Sequence, residues 1–371
     1  MKYIHEHHQW PDLHWDSEAL TPLLIDIRNK QGFYLGRMSA LGFDVKVEAN
    51  LEMLTMNIVK SSEIEGEQLD KEQVRSSVAQ RLGLDIVGLP QADRHIDGIV
   101  EMMLDATQKH QKSLTETRLF SWHNALFPTQ RSGLKHIKVG AWRPEEAGPM
   151  QVVSGPMGRE KVHFEAPEAS RLHAEMVAFL DWFEHAKGVD LVIKAGVSHF
   201  WFVTIHPFED GNGRIARAIS DMCLALSDGV SQRFYSMSSQ IEKERKDYYK
   251  MLESSQKGRL DITSWLEWFL SCLGRAILDA SLLLDNVLYK THIWSMLNQY
   301  SINTRQRKVM NRLLENFQGK LTTSKYAKLA KCSHDTALRD IRKLIEYGVL
   351  RQEAASGRST SYALLSHQEL I

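Results

Sequence analysis

Apolar positions along this chain recur mostly at three- and four-residue intervals, the spacing of one face of an α-helix. Leu20, Leu23, Leu24, Ile27, Leu35 and Met38 keep that spacing from Ser17 to about Leu41, and Asp16-Ser17 supplies a cap. Leu51, Leu54, Ile58 and Val59 predict a second helix over about 47–63, with Gly66 as its stop. Helices are also predicted over about 70–81, 92–111 and 115–127. Gly83, Gly88 and Pro90 mark the loop between the first two, and Pro128 ends the third. The pattern then changes. From about 134 to 167, glycines and prolines punctuate short segments such as Met150–Ser154 and Lys161–Phe164. These predict a β-hairpin flap, with a long surface loop as the alternative. Helices resume over 168–186, 190–205, 213–227, 239–255 and 261–290. The stretch 190–205 is apolar nearly all round, which predicts a buried central helix.

After about 300 a different unit begins. Helices are predicted over 305–317, 323–330 and 333–347, then a strand from Gly348, a turn at 355–358 and a returning strand at 361–364. Helix, helix-turn-helix and β wing make a winged-helix pattern. The expected fold is mainly α, with three parts. They are a helical N-terminal domain (1–111), a helical core with its flap at about 139–165 (112–290), and a C-terminal winged helix-turn-helix domain (291–371).

Charge sharpens this division. The chain has 46 basic and 46 acidic residues, but 304–371 holds 13 Lys/Arg against 6 Asp/Glu, an excess of +7, leaving −7 on the first 303. A basic tail on an acidic body fits DNA as a partner, through Thr336, Arg339, Arg342 and Lys343 on the third helix and Arg358 at the wing. Docking of a protein, or of the chain's own body, is the alternative. Cys223, Cys272 and Cys332 lie far apart, which predicts a reducing compartment without disulfides. No apolar h-region opens the chain, and no apolar run reaches the ~18–20 residues that cross a bilayer, so a cytoplasmic location without membrane contact is expected. His5, His7, His8 and His14 lack the Cys or carboxylate cluster of a metal site, so they are read as a surface arm.

The chemistry concentrates in one stretch, His206-Pro207-Phe208-Glu209-Asp210-Gly211-Asn212-Gly213-Arg214-Ile215-Ala216-Arg217. Pro207 ends one helix and a second opens at about Asn212. The first turn of a helix presents unpaired N–H groups and partial positive charge. Gly211 and Gly213 let a phosphate approach them. Arg214 and Arg217 add charge in a fork that suits phosphate. Asp210 is a hard oxygen ligand of the kind Mg²⁺ requires. His206, with an ordinary pKa near ~6.5, can take a proton from a hydroxyl at neutral pH. Phe208 is expected to anchor the loop, and Glu209 to face solvent.

This stretch matches at every fixed position the Fic signature His-Pro-Phe-x-Asp/Glu-Gly-Asn-Gly-Arg-x-x-Arg, so the chain resembles Fic-domain AMP-transferases. The resemblance implies transfer of AMP from ATP to a hydroxyl of a target protein, with release of pyrophosphate. It casts His206 as general base and Asp210 as the Mg²⁺ ligand. Gly211, Asn212 and Gly213 cradle phosphate, Arg214 holds the γ-phosphate, Arg217 supports it, and Ile215 and Ala216 lie along the nucleotide. Val203, Glu244, Tyr248 and Tyr249 are further candidates beside the nucleotide. Glu244 stands where the family commonly has Asn, and the tyrosines fit core positions equally well. The flap would dock the target, which the chain itself, including a second copy in a homodimer, can also supply.

A second segment, Ser61-x-x-x-Glu65-Gly66, resembles the same family's inhibitory motif. Ser61 and Glu65 share one helix face. The expectation is that Glu65 pairs with Arg214 and so competes with the γ-phosphate. Glu65 can also position water for removal of AMP from a modified target. A regulator that senses nucleotide in the Fic body and binds DNA with its tail is the reading from another class.

Overall fold

The computed structural model describes residues 2–84, 90–155, 159, 161–232, 234–314, 317, 319–353 and 360–366. Backbone contacts divide it into Met1–Ala280 and Ser281–Ile371. The helices assigned in the sequence to a separate N-terminal domain therefore belong to the same unit as the core.

The predicted helices form, and all but the second start on a side-chain cap. They are α1 (Ser17–Ser39), α2 (Phe43–Ile64), α3 (Lys71–Arg81), α4 (Arg94–Gln108) and α5 (Glu116–Leu126). Asp16, Asp70, Asp93 and Thr115 each cap the helix that follows by accepting first-turn N–H groups. A small unpredicted hairpin, β1 (Arg131–Ser132) with β2 (Lys135–His136), follows α5. The flap is β3 (Gln151–Ser154) with β4 (Lys161–Glu165), antiparallel, its register shifting between Val152 and Val153. Pro156 and Gly158, expected to punctuate this stretch, lie outside the described residues.

The N-terminal arm departs from expectation. Tyr3 and Ile4 are buried, the Tyr3 ring meets Phe164 edge-on at 5.2 Å, and His5 Nε2 lies 2.8 Å from the Glu165 carbonyl. The arm is thus packed against the flap strand, because its aromatic and aliphatic side chains outweigh its histidines.

Beyond the flap come α6 (Leu172–His185), α7 (Leu191–Ile205), α8 (Asn212–Asp228), α9 (Met237–Lys243), α10 (Arg245–Gln256) and α11 (Thr263–Leu297). A 3-10 turn at Ala169–Arg171 shortens the start expected for α6. The helix predicted over 239–255 is two helices that meet at Glu244, and α11 runs past the expected 290. Burial explains the position of α7. Thirteen of its fifteen residues are buried, so it has no face to give to water. Alpha-helix α8 packs along it. Gly196 admits α11 closely, since a Cβ there would sit 2.8 Å from Leu266 Cδ2, and Trp265 Nε1 donates to the Gly196 carbonyl at 2.8 Å. The end of α7, where the signature begins, is thereby fixed from several sides. Among the described residues, no helix is long and apolar enough to cross a membrane.

The second unit contains α12 (Thr304–Leu314), α13 (Thr323–Ala330) and α14 (His334–Glu346). It also has a three-stranded antiparallel sheet in the order β5 (Leu321–Thr322), β7 (Ser361–Leu364), β6 (Leu350–Gln352). Val309, Met310, Tyr326, Ile341 and Leu344 form its core. Arg339, Arg342 and Lys343 are exposed on α14 and Thr336 is half-buried. The expected turn at 355–358, with Arg358, lies outside the described residues.

Candidate active site

The site begins where α7 stops. His206 adopts a left-handed conformation (φ 51°, ψ 57°), its N–H still closing on the Phe202 carbonyl at 3.0 Å. Pro207 cannot continue the helix. His206 Nδ1 lies 3.2 Å from the Val203 carbonyl. A carbonyl only accepts, so Nδ1 carries the hydrogen and Nε2 keeps its lone pair. Burial, with the Arg143 charge nearby, pushes the imidazole pKa down to about 4. The ring is therefore neutral at pH 7, the state a general base requires.

Arg143, which the sequence reading missed, holds the backbone of this loop. Its N–H donates to the Pro207 carbonyl at 2.8 Å and its Nε to the His206 carbonyl at 2.9 Å. Its Nη2 donates to the Pro167 carbonyl. Phe208 anchors the loop as expected. It is fully buried and stacked on His123 at 4.1 Å, with Trp142 at 5.1 Å. Glu209 does not face solvent. Its side chain is 8% exposed, accepting the Lys138 N–H at 2.7 Å and pairing with Lys135 at 3.3 Å. That contact ties the loop to the β1–β2 hairpin, which sequence patterning did not predict. Asp210 is 41% exposed at the rim, accepts the Ser132 hydroxyl and lies 3.7 Å from Arg214 Nη2.

Gly211 turns the chain into α8 at φ +82°, and a Cβ there would meet the Phe127 ring at 2.9 Å. The Asn212 side chain closes the loop on itself. Its Oδ1 accepts the Phe208 N–H at 3.0 Å, and its Nδ2 donates to the Phe208 carbonyl at 2.8 Å. Asn212 can thus offer a phosphate its backbone N–H, its amide being engaged in the turn. Ile215 and Ala216 point into the core, fully buried, and Val203 is buried as well. Tyr248 is also a core residue, bonded to His199 Nε2 at 2.9 Å. Tyr249 reaches the site, its hydroxyl donating to the Ile64 carbonyl at 3.1 Å and to Glu65 Oε2 at 3.3 Å. Glu244 is occupied elsewhere by Arg275, with two contacts of 2.6 Å.

The pairing of carboxylates with arginines differs from expectation. Glu65 lies on Arg217, at 2.8 Å from Nη2, and not on Arg214. The Ser61 hydroxyl and carbonyl accept from Arg217 Nε and Nη2 at 2.9 and 2.8 Å. The α2 segment carrying Ser61 and Glu65 therefore meets the second arginine, one turn into α8. Arg214 is taken by Glu67, at 2.8 Å from Nη1, and Glu67 in turn contacts His95 Nε2. Burial disfavours the Glu67 charge, but His95 and Arg214 outweigh it, so its pKa lies below the ordinary value. The Glu65 carboxylate also covers the start of α8, because a Cβ on Gly213 would lie 2.1 Å from Glu65 Oε1. Arg214 Nε and Arg217 Nη1 are buried donors without a hydrogen-bond partner. A cavity of about 860 Å³ is bounded by Glu65, Glu67, His95, Arg131, Asp210 and, of the two arginines, Arg214. Two orphaned guanidinium donors and free helix N–H groups suit a polyphosphate. Asp210 suits a hard cation that keeps most of its waters. Among the described residues, no three His, Cys, Asp or Glu side chains gather as a ready metal cage.

Residues 113–224 match the Fic/DOC family, and residues 3–84 match a domain of unknown function, DUF4172. The 113–224 segment, with its His206–Arg217 loop, is thus a Fic/DOC domain. Among curated relatives, a protein adenylyltransferase Fic of Nematostella vectensis is 32% identical over 115 residues, covering 30% of this chain and 25% of the relative. One from Drosophila virilis is 24% identical over 243 residues, covering 62% and 43%. The chain spans a quarter of the first relative and under half of the second. The fold is shared with a solved Fic family protein from Desulfovibrio desulfuricans. Their TM-score is 0.54 at 21% identity, over 96% of this chain and 98% of the other.

Proposed function

We propose that the chain is an autoinhibited protein adenylyltransferase, which moves AMP from ATP to a hydroxyl side chain of a protein. The seat of Glu65 carries this reading. Its carboxylate lies on Arg217 and over Gly213, the place where a helix N-terminus and two arginines would otherwise receive phosphate. His206, neutral with Nε2 free, stands at the preceding helix end.

In this reading Nε2 takes the hydroxyl proton as the oxygen attacks the α-phosphorus. The bond from that phosphorus to its bridging oxygen breaks, and pyrophosphate leaves. The N–H groups at the start of α8, with Arg214 and Arg217, hold the phosphates in line. Mg²⁺, held by Asp210 and the phosphates, would offset the charge on the chain of phosphates. Arg143 keeps His206 in place by bonding the loop carbonyls. The β3–β4 flap offers the target segment a strand edge. Three helices with a three-stranded sheet in the second unit are read as a winged helix that presents Arg339, Arg342 and Lys343 to a partner. The test is transfer of label from ATP, with Mg²⁺, by the Glu65→Gln protein.

A further inference from the structure

Chain geometry after α2 places two carboxylates at the nest, not one. Helix α2 closes with the Gly66 N–H on the Glu63 carbonyl at 2.9 Å and the Glu67 N–H on the Ser62 carbonyl at 3.0 Å. Gly66 makes that turn at φ +84°, a conformation side chains other than glycine rarely adopt. The turn carries Glu67 back toward α8, where its Oε2 meets Arg214 Nη1 at 2.8 Å. Glu65, on the other side of Gly66, meets Arg217. Each signature arginine therefore has its own carboxylate.

The two contacts are held by different elements. Glu65 is steadied by Tyr249 of α10 and lies beside the Ser61–Arg217 bonds. Glu67 is backed by His95 in the first turn of α4, and His95 Nδ1 lies 3.1 Å from the Leu126 carbonyl at the end of α5. The Arg214 guanidinium rests 5.1 Å from the Phe127 ring centroid, next to the same helix end. Displacing Glu65 from Arg217 thus leaves Glu67 clamped between Arg214 and His95. Glu67 neutralises the Arg214 charge and sets a carboxylate against any phosphate that approaches the same guanidinium.

Resting on the functional reading above, we infer that Glu67, backed by His95, is a second inhibitory carboxylate. It keeps Arg214 from the polyphosphate until it is released separately from Glu65. Gly66 then has a task of its own, to turn the chain so that both carboxylates face α8.

The test is calorimetric titration of Mg-ATP into four proteins that carry the whole 371-residue chain, namely wild type, Glu65→Gln, Glu67→Gln and the double variant. Thermal unfolding checks that each is folded. Glu67→Gln in the Glu65→Gln background should raise ATP affinity by about fivefold or more, within the usual range of coupling between sites. His95→Gln should act in the same direction, and it stands in if Glu67→Gln does not fold. Unchanged ATP affinity on adding either substitution to Glu65→Gln overturns the inference. So does a loss, which would mean that Glu67 orients Arg214 for phosphate. Failure of all four proteins to bind ATP overturns both this inference and the functional reading. ATP binding without AMP transfer by Glu65→Gln overturns the transfer reading alone.

Discussion

Replacing Glu65 with glutamine should weaken the fold and strengthen ATP binding at once, because in the proposed function the same contact serves stability and inhibition. Arg217 is 2% exposed and finds its anionic partner in Glu65, whose side chain is 31% exposed. The two Ser61 contacts to Arg217 remain in the variant. Glutamine keeps the shape and one acceptor but not the charge, so a buried guanidinium loses its counter-charge without losing all its hydrogen bonds. A loss of roughly 1–2 kcal/mol follows, at the lower end for a buried charged hydrogen bond. For a unit of this size that is about 2–8 °C in unfolding temperature. ATP at a hundred times its Kd restores about 2.7 kcal/mol, so Mg-ATP should more than reverse the drop. The assay is thermal unfolding of wild type and Glu65→Gln, with and without Mg-ATP. Wild type should respond weakly to the nucleotide and the variant strongly. A variant as stable as wild type, with no larger response to ATP, would refute the competition for the nest.

Other consequences follow from the same contacts. The His206 pKa of about 4 lies below the ordinary 6.5, so the native state favours the neutral ring. Stability from that preference is complete above about pH 6.5 and is lost as pH falls toward 4. In the Glu65→Gln protein, kcat/KM for transfer should stay level from pH 8 to 6 and fall only below about pH 5, whereas a midpoint near 6.5 contradicts the buried, neutral base. Arg143→Leu leaves the His206 and Pro167 carbonyls without their side-chain donor, so transfer should drop by about tenfold or more as the loop loosens. ATP affinity, read by calorimetry, should change far less. A Cβ on Gly98 would sit 1.8 Å from the Ala125 carbonyl oxygen, where α4 crosses α5. Gly98→Ala should therefore cost roughly 2–3 kcal/mol, seen in denaturant unfolding, because backbone atoms cannot yield as side chains do.

Local chemistry made much of this molecule legible in its sequence. Asp16 announced a helix start, and the stretch 190–205, apolar nearly all round, announced the central helix. The His206–Arg217 loop was readable because its chemistry is contiguous. Contacts between distant segments were not. The Glu65–Arg217 and Glu67–Arg214 pairs depend on how α2 lies along α8, and helical spacing places Ser61 and Glu65 on one face without saying which arginine that face meets. His95 and Arg143 act through backbone carbonyls and a carboxylate far along the chain, with no motif around them. The break at Glu244 was hidden because helical character continues on both sides of it. Tyr3 and Ile4 were overshadowed by neighbouring histidines, although their burial decides where the arm lies.

The central claim is that His206 transfers AMP once Glu65 leaves the nest. The most direct measurement is label uptake from ATP marked at the α-phosphate, with Mg²⁺, comparing wild type, Glu65→Gln and Glu65→Gln/His206→Ala. The chain itself and a lysate serve as acceptors. The account predicts little label with wild type, strong protein labelling with Glu65→Gln, and none with the double variant, which should still bind ATP. Equal labelling by the double variant, or label that enters from the γ-phosphate and not the α-phosphate, would contradict it.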